Sequence, residues 1–433
     1  MKSVSMHTGA WNGDRQVSLG FPDAWDVQVV GESAGPALDA DAMRSRLRSP
    51  IGASRLSELA RGSRHAVIII DDISRPTPTA DILPLVLEEL EAGGMPLAKV
   101  KVVIAAGGHE AAPERESLMK VGAETARRVA WELHDPDGDL VSAGKSPSHI
   151  PLFINRSVMG ADLKIGVGGI TPHDGAGFSG GSKILVPGVA GTQTARYLHD
   201  FLKGAKQRGA SIDNDFRREL DVITGRLGLN FIVNVVLNHE RRVAALFAGD
   251  RVEAHREGVA FASQRFLVTP VADAQIVVAN TYPFDANLWF MPWGLWPLMS
   301  APAGASKVAI ADGWQGAGSH RLKPTELSFV GRAYLRLKTL RPRHVFKQAR
   351  HLVTSLTRTR SRRQLEFLLV APNISSADVA RRFAAAPHFR DWDTVLQELR
   401  KRHGDGPVKV AVYPCAPLQY SLDARAAGGG GGQ

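Results

Sequence analysis

The chain has 433 residues, a formal net charge of +10, and 44% hydrophobic against 22% charged residues. At roughly 100–200 residues per domain, that length predicts two or three domains with an ordinary globular balance. Cys415 is the only cysteine, which excludes a disulfide-framed secreted scaffold and any multi-cysteine zinc or iron–sulfur centre, and points to a cytoplasmic protein.

The opening MKSVSMHTGAWNGDRQ lacks the apolar run of a signal peptide. Ala66–Ile70 is a continuous apolar run ending at Asp71-Asp72, as a buried parallel strand would. Ala80–Ala92 follows as an amphipathic helix stopped by Gly93-Gly94. Strands at Val100–Ala106 and Ala161–Val167 run into Gly107-Gly108-His109 and Gly168-Gly169, and a helix is expected over Thr192–Leu202. A second unit begins near residue 267, with strands at Ala274–Ala279, Lys307–Ala311, Phe367–Val370 and Val408–Tyr413, and helices at Ala377–Ala385 and Trp392–His403. This alternation predicts an α/β protein of two α/β domains with the active site in the cleft between them. The expected division is a cofactor-binding catalytic domain over 1–266, a C-terminal α/β domain over 267–413, and a terminal segment over 414–433 that ends in a disordered glycine tail.

Two segments invite other readings. Ala286–Ser306 carries no charge over 21 residues, but Pro292, Pro297 and Pro302 would interrupt a membrane helix, so a buried wall rich in Trp289, Trp293 and Trp296 is expected and no membrane partner. Between Arg321 and Arg363 stand 13 Lys/Arg and a single acid, Glu326. Leu335, Leu337, Leu340, Val345 and Phe346 give that segment apolar positions, and it shows no nucleic-acid motif, so nucleic acid is not the expected partner.

The chemistry concentrates at the glycine-rich ends of the early strands. Asp71-Asp72-Ile73-Ser74-Arg75-Pro76-Thr77-Pro78 suits either an anion held near a helix N-terminus or an ordinary capped turn. His109 follows another strand end. The segment from Gly168 to Lys183 holds six glycines in sixteen residues, which lets backbone N–H groups approach a ligand closely. It is not a Walker A loop, because Ile184 follows Lys183. A lysine among glycines and ahead of Ile184-Leu185-Val186 suits a nucleophile of depressed pKa, or else a solvated surface loop.

Taken together and in order, DDISRPTP, GGHE, LHDPD, GGITPHDGAGFSGGSK and YLHDF resemble the nickel-pincer lactate racemase family, strongly over about residues 65–205 and weakly beyond. The resemblance implies a covalently attached nickel-pincer nucleotide (pyridinium-3-thioamide-5-thiocarboxylic acid mononucleotide) at Lys183, with His199 as a ligand of the Ni2+. It implies His109 and His173 as general acid/base residues on opposite sides of C2 of a 2-hydroxy acid, while hydride passes reversibly to the cofactor. It also places Asp72 and Arg75 near cofactor and substrate, with Arg75 the partner of a carboxylate. By adjacency to Lys183, Ser179, Gly180, Gly181 and Ser182 are expected to line the cofactor. Cofactor-biosynthesis enzymes are the implied loading partners; the oligomeric state is left open.

Lactate-racemising members carry Arg directly after the first histidine, where this chain has Glu110. Past their YPxDxN segment they carry a Gln and a Lys that hold the lactate carboxylate. Here Tyr282-Pro283-Phe284-Asp285-Ala286-Asn287 leads to Phe290 and Trp293 at those offsets. The sequence therefore predicts a racemase or epimerase of a 2-hydroxy acid bulkier or more apolar than lactate. Its alternative is a nickel-pincer epimerase or oxidoreductase acting on a sugar or other non-carboxylate secondary alcohol. A third reading is a non-catalytic binding protein working through residues 321–363.

Overall fold

The computed structural model describes residues 1–31, 33–201, 209, 211–319 and 365–422, with the side chains of 199–201 left out. The basic segment 321–363 and the glycine tail lie outside the described residues.

The chain opens with the hairpin β1 (Lys2–Thr8) and β2 (Arg15–Phe21), followed by β3 (Asp26–Val29). Then come β4 (Ala66–Asp71), β5 (Val100–Ala105), β6 (Ala130–Leu133), the hairpin β7 (Leu140–Lys145) and β8 (Pro151–Asn155), and β9 (Leu163–Gly169). The short pair β10 (Pro172–His173) and β11 (Gly177–Phe178) precedes β12 (Leu229–Leu237) and β13 (Val243–Gly249). A second series follows: β14 (Ile276–Asn280), β15 (Ser306–Ile310), β16 (Leu368–Val370), β17 (His388–Phe389) and β18 (Lys409–Tyr413).

These strands build two six-stranded sheets, ordered β13-β12-β9-β4-β5-β6 and β17-β16-β15-β14-β18-β3. The first is parallel except for β13, and the second is parallel throughout. β4 is buried at every position because both of its faces are covered. Ile68 and Ile70 share a core with Ile82, Val86 and Leu90 of the helix Thr79–Ala92, while Val67 and Ile69 pack with Ile184, Leu185, Leu220 and Ile223 on the other side. Each such aliphatic side chain contributes about 1.5–3 kcal/mol of burial.

Residues 2–29 serve the second sheet rather than the first unit with which the sequence groups them. β3 pairs with β18, and Met6, Leu19, Phe21 and Trp25 pack with Val395 and Leu399 of the helix Trp392–His403. The reason is local: β3 reads Asp-Val-Gln-Val, is mostly exposed, and joins the edge through backbone bonds that leave no hydrophobic signature. In the other direction, Tyr420 leaves the second sheet to exchange backbone bonds with Phe266 and Val268, and its ring meets Phe178 edge-on at 5.8 Å. Phe178, Tyr282, Phe284, Phe290 and Leu418 form an apolar cluster between the sheets.

The uncharged stretch 286–306 breaks into a single turn at Met291–Gly294 and a short helix at Trp296–Met299, each begun next to a proline. Among the described residues no helix is long and apolar enough to cross a membrane.

Trp25 is fully buried in the second sheet's core. Trp25→Ala should cost about 3–5 kcal/mol in urea unfolding. Hydrogen exchange should then accelerate in β14 and β18 ahead of β4 and β9; equal loss across both sheets would contradict the placement of this N-terminal segment.

Candidate active site

Three loops leave the carboxyl ends of β4, β5 and β9, where open parallel sheets gather ligands. The β4 loop is shaped from beneath. The fully buried Lys120 Nζ donates to Asp71 Oδ1 at 2.7 Å, to the Thr77 carbonyl at 2.7 Å and to the Arg75 carbonyl at 3.3 Å. Asp71 Oδ2 accepts from Thr77 Oγ1 at 2.6 Å and from the Gly169 amide at 3.4 Å, tying the β4 and β9 loops together. Burial pulls the Lys120 ammonium below its ordinary range and Asp71 opposes that.

On top of this loop, Asp72 is buried, and its Oδ2 lies 2.8 Å from His109 Nδ1 while Oδ1 accepts from Ser74 Oγ at 2.5 Å. Burial alone would raise this carboxyl, but the charge and hydrogen bond of His109, with Arg75 and Ser74, bring it down to about 2. An ionised carboxylate at Nδ1 fixes that nitrogen as the donor, so Nε2 is the nitrogen able to take up a proton. Arg75 donates to Ser74 Oγ at 3.1 Å and makes no ion pair among the described residues. Its guanidinium instead lies 4.7 Å from the ring centre of Trp293 and 5.8 Å from that of Phe290. Burial lowers its pKa against the pull of Asp72 and Asp71.

The glycine-rich loop after β9 brings Lys183 Nζ to 2.9 Å from His173 Nε2. Burial, with the charges of Arg217 and Arg75, holds the Lys183 amine well below 10.5. Gly180 and Gly181 have φ of +79° and +59°, and a Cβ there would fall 2.9 Å from Asn234 Oδ1 and 2.8 Å from the His255 ring. The loop therefore needs glycine both for its backbone and for its close seat. Its outer partners are side chains with no motif of their own. Arg217 donates to the Gly180 and Phe178 carbonyls at 2.9 and 2.5 Å, His255 Nε2 lies 2.8 Å from the Ser179 carbonyl, and Asn234 accepts from the Gly181 amide at 2.8 Å. Burial brings Arg217 down to about 10 and keeps His255 neutral. The two loops also meet, since the Gly107 amide donates to the Gly188 carbonyl at 2.9 Å.

Ser179 and Ser182, expected to line a cofactor, turn their hydroxyls inward. Ser179 Oγ donates to the Gly169 carbonyl at 2.7 Å and accepts from the Thr171 amide at 2.8 Å; Ser182 Oγ donates to Asp221 at 2.6 Å. Both shape the loop through these bonds. His199 falls on the helix Thr192–Phe201, and its side chain lies outside the described residues. Glu110 is exposed beside His109.

The second unit supplies an aromatic wall. Phe290 stands edge-on to His109 with ring centres 5.3 Å apart, Trp293 lies 6.3 Å from His173, and the two wall rings are 5.4 Å from each other. Thus Asp72, Arg75, His109, His173 and Lys183 face Phe290 and Trp293 across the gap between the sheets.

Residues 12–210 match the family described as the lactate racemase N-terminal domain. The lactate racemase of Thermoanaerobacterium thermosaccharolyticum is 31% identical over 323 residues, 71% of this chain and 76% of that protein. The lactate racemase of Lactiplantibacillus plantarum is 33% identical over 256 residues, 58% of this chain and 60% of that protein. Among solved structures, the lactate racemase apoprotein from T. thermosaccharolyticum has a TM-score of 0.68 at 24% identity, covering 97% of this chain and 100% of its own. A Thermotoga maritima protein has a TM-score of 0.59 at 18% identity, over 89% and 99%. Both share the α/β fold.

The two charges at this site can be checked separately. Because the folded value of Asp72, about 2, lies below the ordinary 3.8, its stabilisation is present above about pH 4 and lost as the pH falls toward 2. Asp72→Asn should flatten the stability–pH curve over that window, and an unchanged acid limb would show that His109 and Arg75 do not hold the carboxylate. For Lys183, the pH dependence of acylation by an amine reagent, read by peptide mass, should have its midpoint well below 10.5. A midpoint at the ordinary lysine value would mean a solvated amine.

Proposed function

This chain belongs to the lactate racemase family, and from that premise we propose that it racemises or epimerises a 2-hydroxy acid bulkier or more apolar than lactate, using a nickel-pincer nucleotide joined to Lys183. The observation that carries the reading is the convergence of His109, Arg75 and His173 on the Phe290–Trp293 pair. The residues present fit the cofactor at its attachment point, since Lys183 offers an amine of depressed basicity at the end of a closely seated glycine loop. His199 would be the protein's ligand to nickel, and cofactor-biosynthesis enzymes the partners that load the site. When bound, the nucleotide supplies a ring that accepts and returns the C2 hydride.

The protein's own groups do the rest. Arg75 binds the carboxylate, its plane braced by the Trp293 face so that its donors point along the edge. His109 Nε2 takes the proton of the C2 hydroxyl, with Asp72 holding Nδ1–H and stabilising the imidazolium that forms. His173 holds or returns that proton when the other enantiomer reacts. Trp293 and Phe290 exclude water and contact the substituent on C2. The family pattern implied by the resemblance has a glutamine and a lysine at these two positions, so among the described residues of this proposal Arg75 is the carboxylate's cation. A substituent larger than methyl restores binding through apolar contact with the wall.

Protein coexpressed with the cofactor-synthesis enzymes and nickel should carry a covalent mass that Lys183→Ala abolishes. The loaded protein should exchange the C2 hydrogen of aryl or branched 2-hydroxy acids faster than that of lactate. His109→Gln and His173→Gln should each lower that rate by about 10²–10⁴-fold. Arg75→Ala should raise KM by about 10–100-fold, the equivalent of losing a charged hydrogen bond. Exchange confined to carboxylate-free secondary alcohols and indifferent to Arg75→Ala would favour the sugar or alcohol reading instead.

A further inference from the structure

Trp11 sits at the tip of the β1–β2 hairpin, far in sequence from every residue of the proposed chemistry. The hairpin's strands pack on the second sheet, yet its tip crosses to the first unit and lays the indole between two cations. The Arg241 guanidinium lies 3.9 Å from the ring centre and the Lys120 ammonium 4.9 Å. These two cations grip three consecutive carbonyls of the β4 loop. Lys120 takes those of Arg75 and Thr77, and Arg241 Nη1 donates to that of Pro76 at 3.1 Å.

The same tip is fastened to the segment that carries the aromatic wall. Asp285 accepts from the Gly9 and Ala10 amides at 2.7 and 3.1 Å and from Thr8 Oγ1 at 3.0 Å. Asp14 pairs with Arg241 at 2.5 Å and accepts from the Tyr282 hydroxyl at 2.7 Å. The hairpin tip thus stands between Arg75's loop on one side and the stretch leading from Tyr282 to Phe290 and Trp293 on the other.

The backbone adds a second, independent sign. Among the described residues four non-glycine positions have positive φ, and three of them, Trp11 at 65°, Asp14 at 42° and Arg241 at 61°, meet in this cluster. Such conformations persist only where the surroundings over-determine them, and they concentrate at functional sites. Trp11 Nε1 has no hydrogen-bond partner among the described residues, so the ring is held by its faces.

We infer that Trp11 is a positioning residue: its indole, clasped between Lys120 and Arg241, sets the loop that presents Arg75 to the substrate carboxylate and registers that loop against the Phe290–Trp293 wall. This rests on the function proposed above. The ring face, more than its volume, does the positioning, because the attraction of the two cations is to the π-system.

The test compares Trp11→Leu, which keeps apolar bulk and removes the π-face, with Trp11→Phe, which keeps a face. Both are loaded to equal covalent mass and matched for thermal stability. In the loaded enzyme, Trp11→Leu should raise KM for an aryl 2-hydroxy acid about tenfold with kcat little changed, and Trp11→Phe should restore most of the loss. In an Arg75→Ala background Trp11→Leu should add almost nothing, because the two act through one contact. Independently of activity, hydrogen exchange of the 72–79 peptide should quicken in Trp11→Leu and recover in Trp11→Phe. Unchanged exchange in that peptide, or equal KM effects with and without Arg75, overturns the inference. Wild-type protein that loads but exchanges no C2 hydrogen, while the 72–79 effect persists, overturns the functional reading and leaves the clasp standing.

Discussion

The site is organised by an excess of positive charge withdrawn from water. Arg75, Lys120, Lys183, Arg217 and Arg241 all crowd the ends of β4 and β9, and among the described residues Asp71, Asp72, Asp14 and Asp221 stand near them with opposite charge. Burying unpaired charge is expensive, so each cation needs another form of relief. Arg217 finds two backbone carbonyls, Lys120 divides itself between a carboxylate and two carbonyls, and Arg75 lies on aromatic faces. Arginine cannot shed its proton, and Lys120 sits directly on a carboxylate. Lys183 has neither, and its pKa is held well below the ordinary lysine value. The depressed basicity of Lys183 is thus a consequence of what surrounds it.

How much of this was legible depended on whether a residue announced itself in a local pattern. The strands at 66–71, 100–105 and 163–169 are short apolar runs stopped by polar or glycine turns, and the loops beyond them hold enough glycine, histidine and acid to be noticed. Lys120 was not, because one lysine in the helix Glu114–Val121 looks like any solvated lysine until the helix docks with that side inward. Arg217 likewise adjoins the apolar positions Phe216, Leu220 and Ile223, a neighbourhood common to many amphipathic helices. β12 and β13 hold the near-continuous apolar runs of buried strands and could have been found; Asn234 within β12 could not, since its role depends on the loop it meets. For Ser179 and Ser182, side-chain direction, invisible in a sequence, ties both hydroxyls into the loop's own scaffold.

Trp11 shows the limit most plainly. Nothing in GAWNGD distinguishes a clasp from a hairpin turn, and the partners are more than a hundred residues away in either sheet's sequence. The same distance explains why residues 2–29 were grouped with the first unit: pairing between the edge strand β3 and β18 is a backbone event, and side-chain pattern carries little of it.

The division of labour between the sheets bears on how such a site can change its substrate. Asp72, His109, His173 and Lys183 come from loops of the first sheet and are locked by bonds: Asp72 to His109, Lys183 to His173, and the loop carbonyls to Arg217 and Lys120. The wall from the second sheet touches them only through ring faces and edges, at Arg75, His109 and His173. Contacts of that kind involve none of the first sheet's hydrogen bonds, so a change at Phe290 or Trp293 leaves no buried donor or acceptor there unmade. A polar substitution inside the first-sheet network would strand a buried donor or acceptor and disturb both histidines together. The wall on the second sheet is therefore free to change while the first sheet's network is held fixed by its own buried charges.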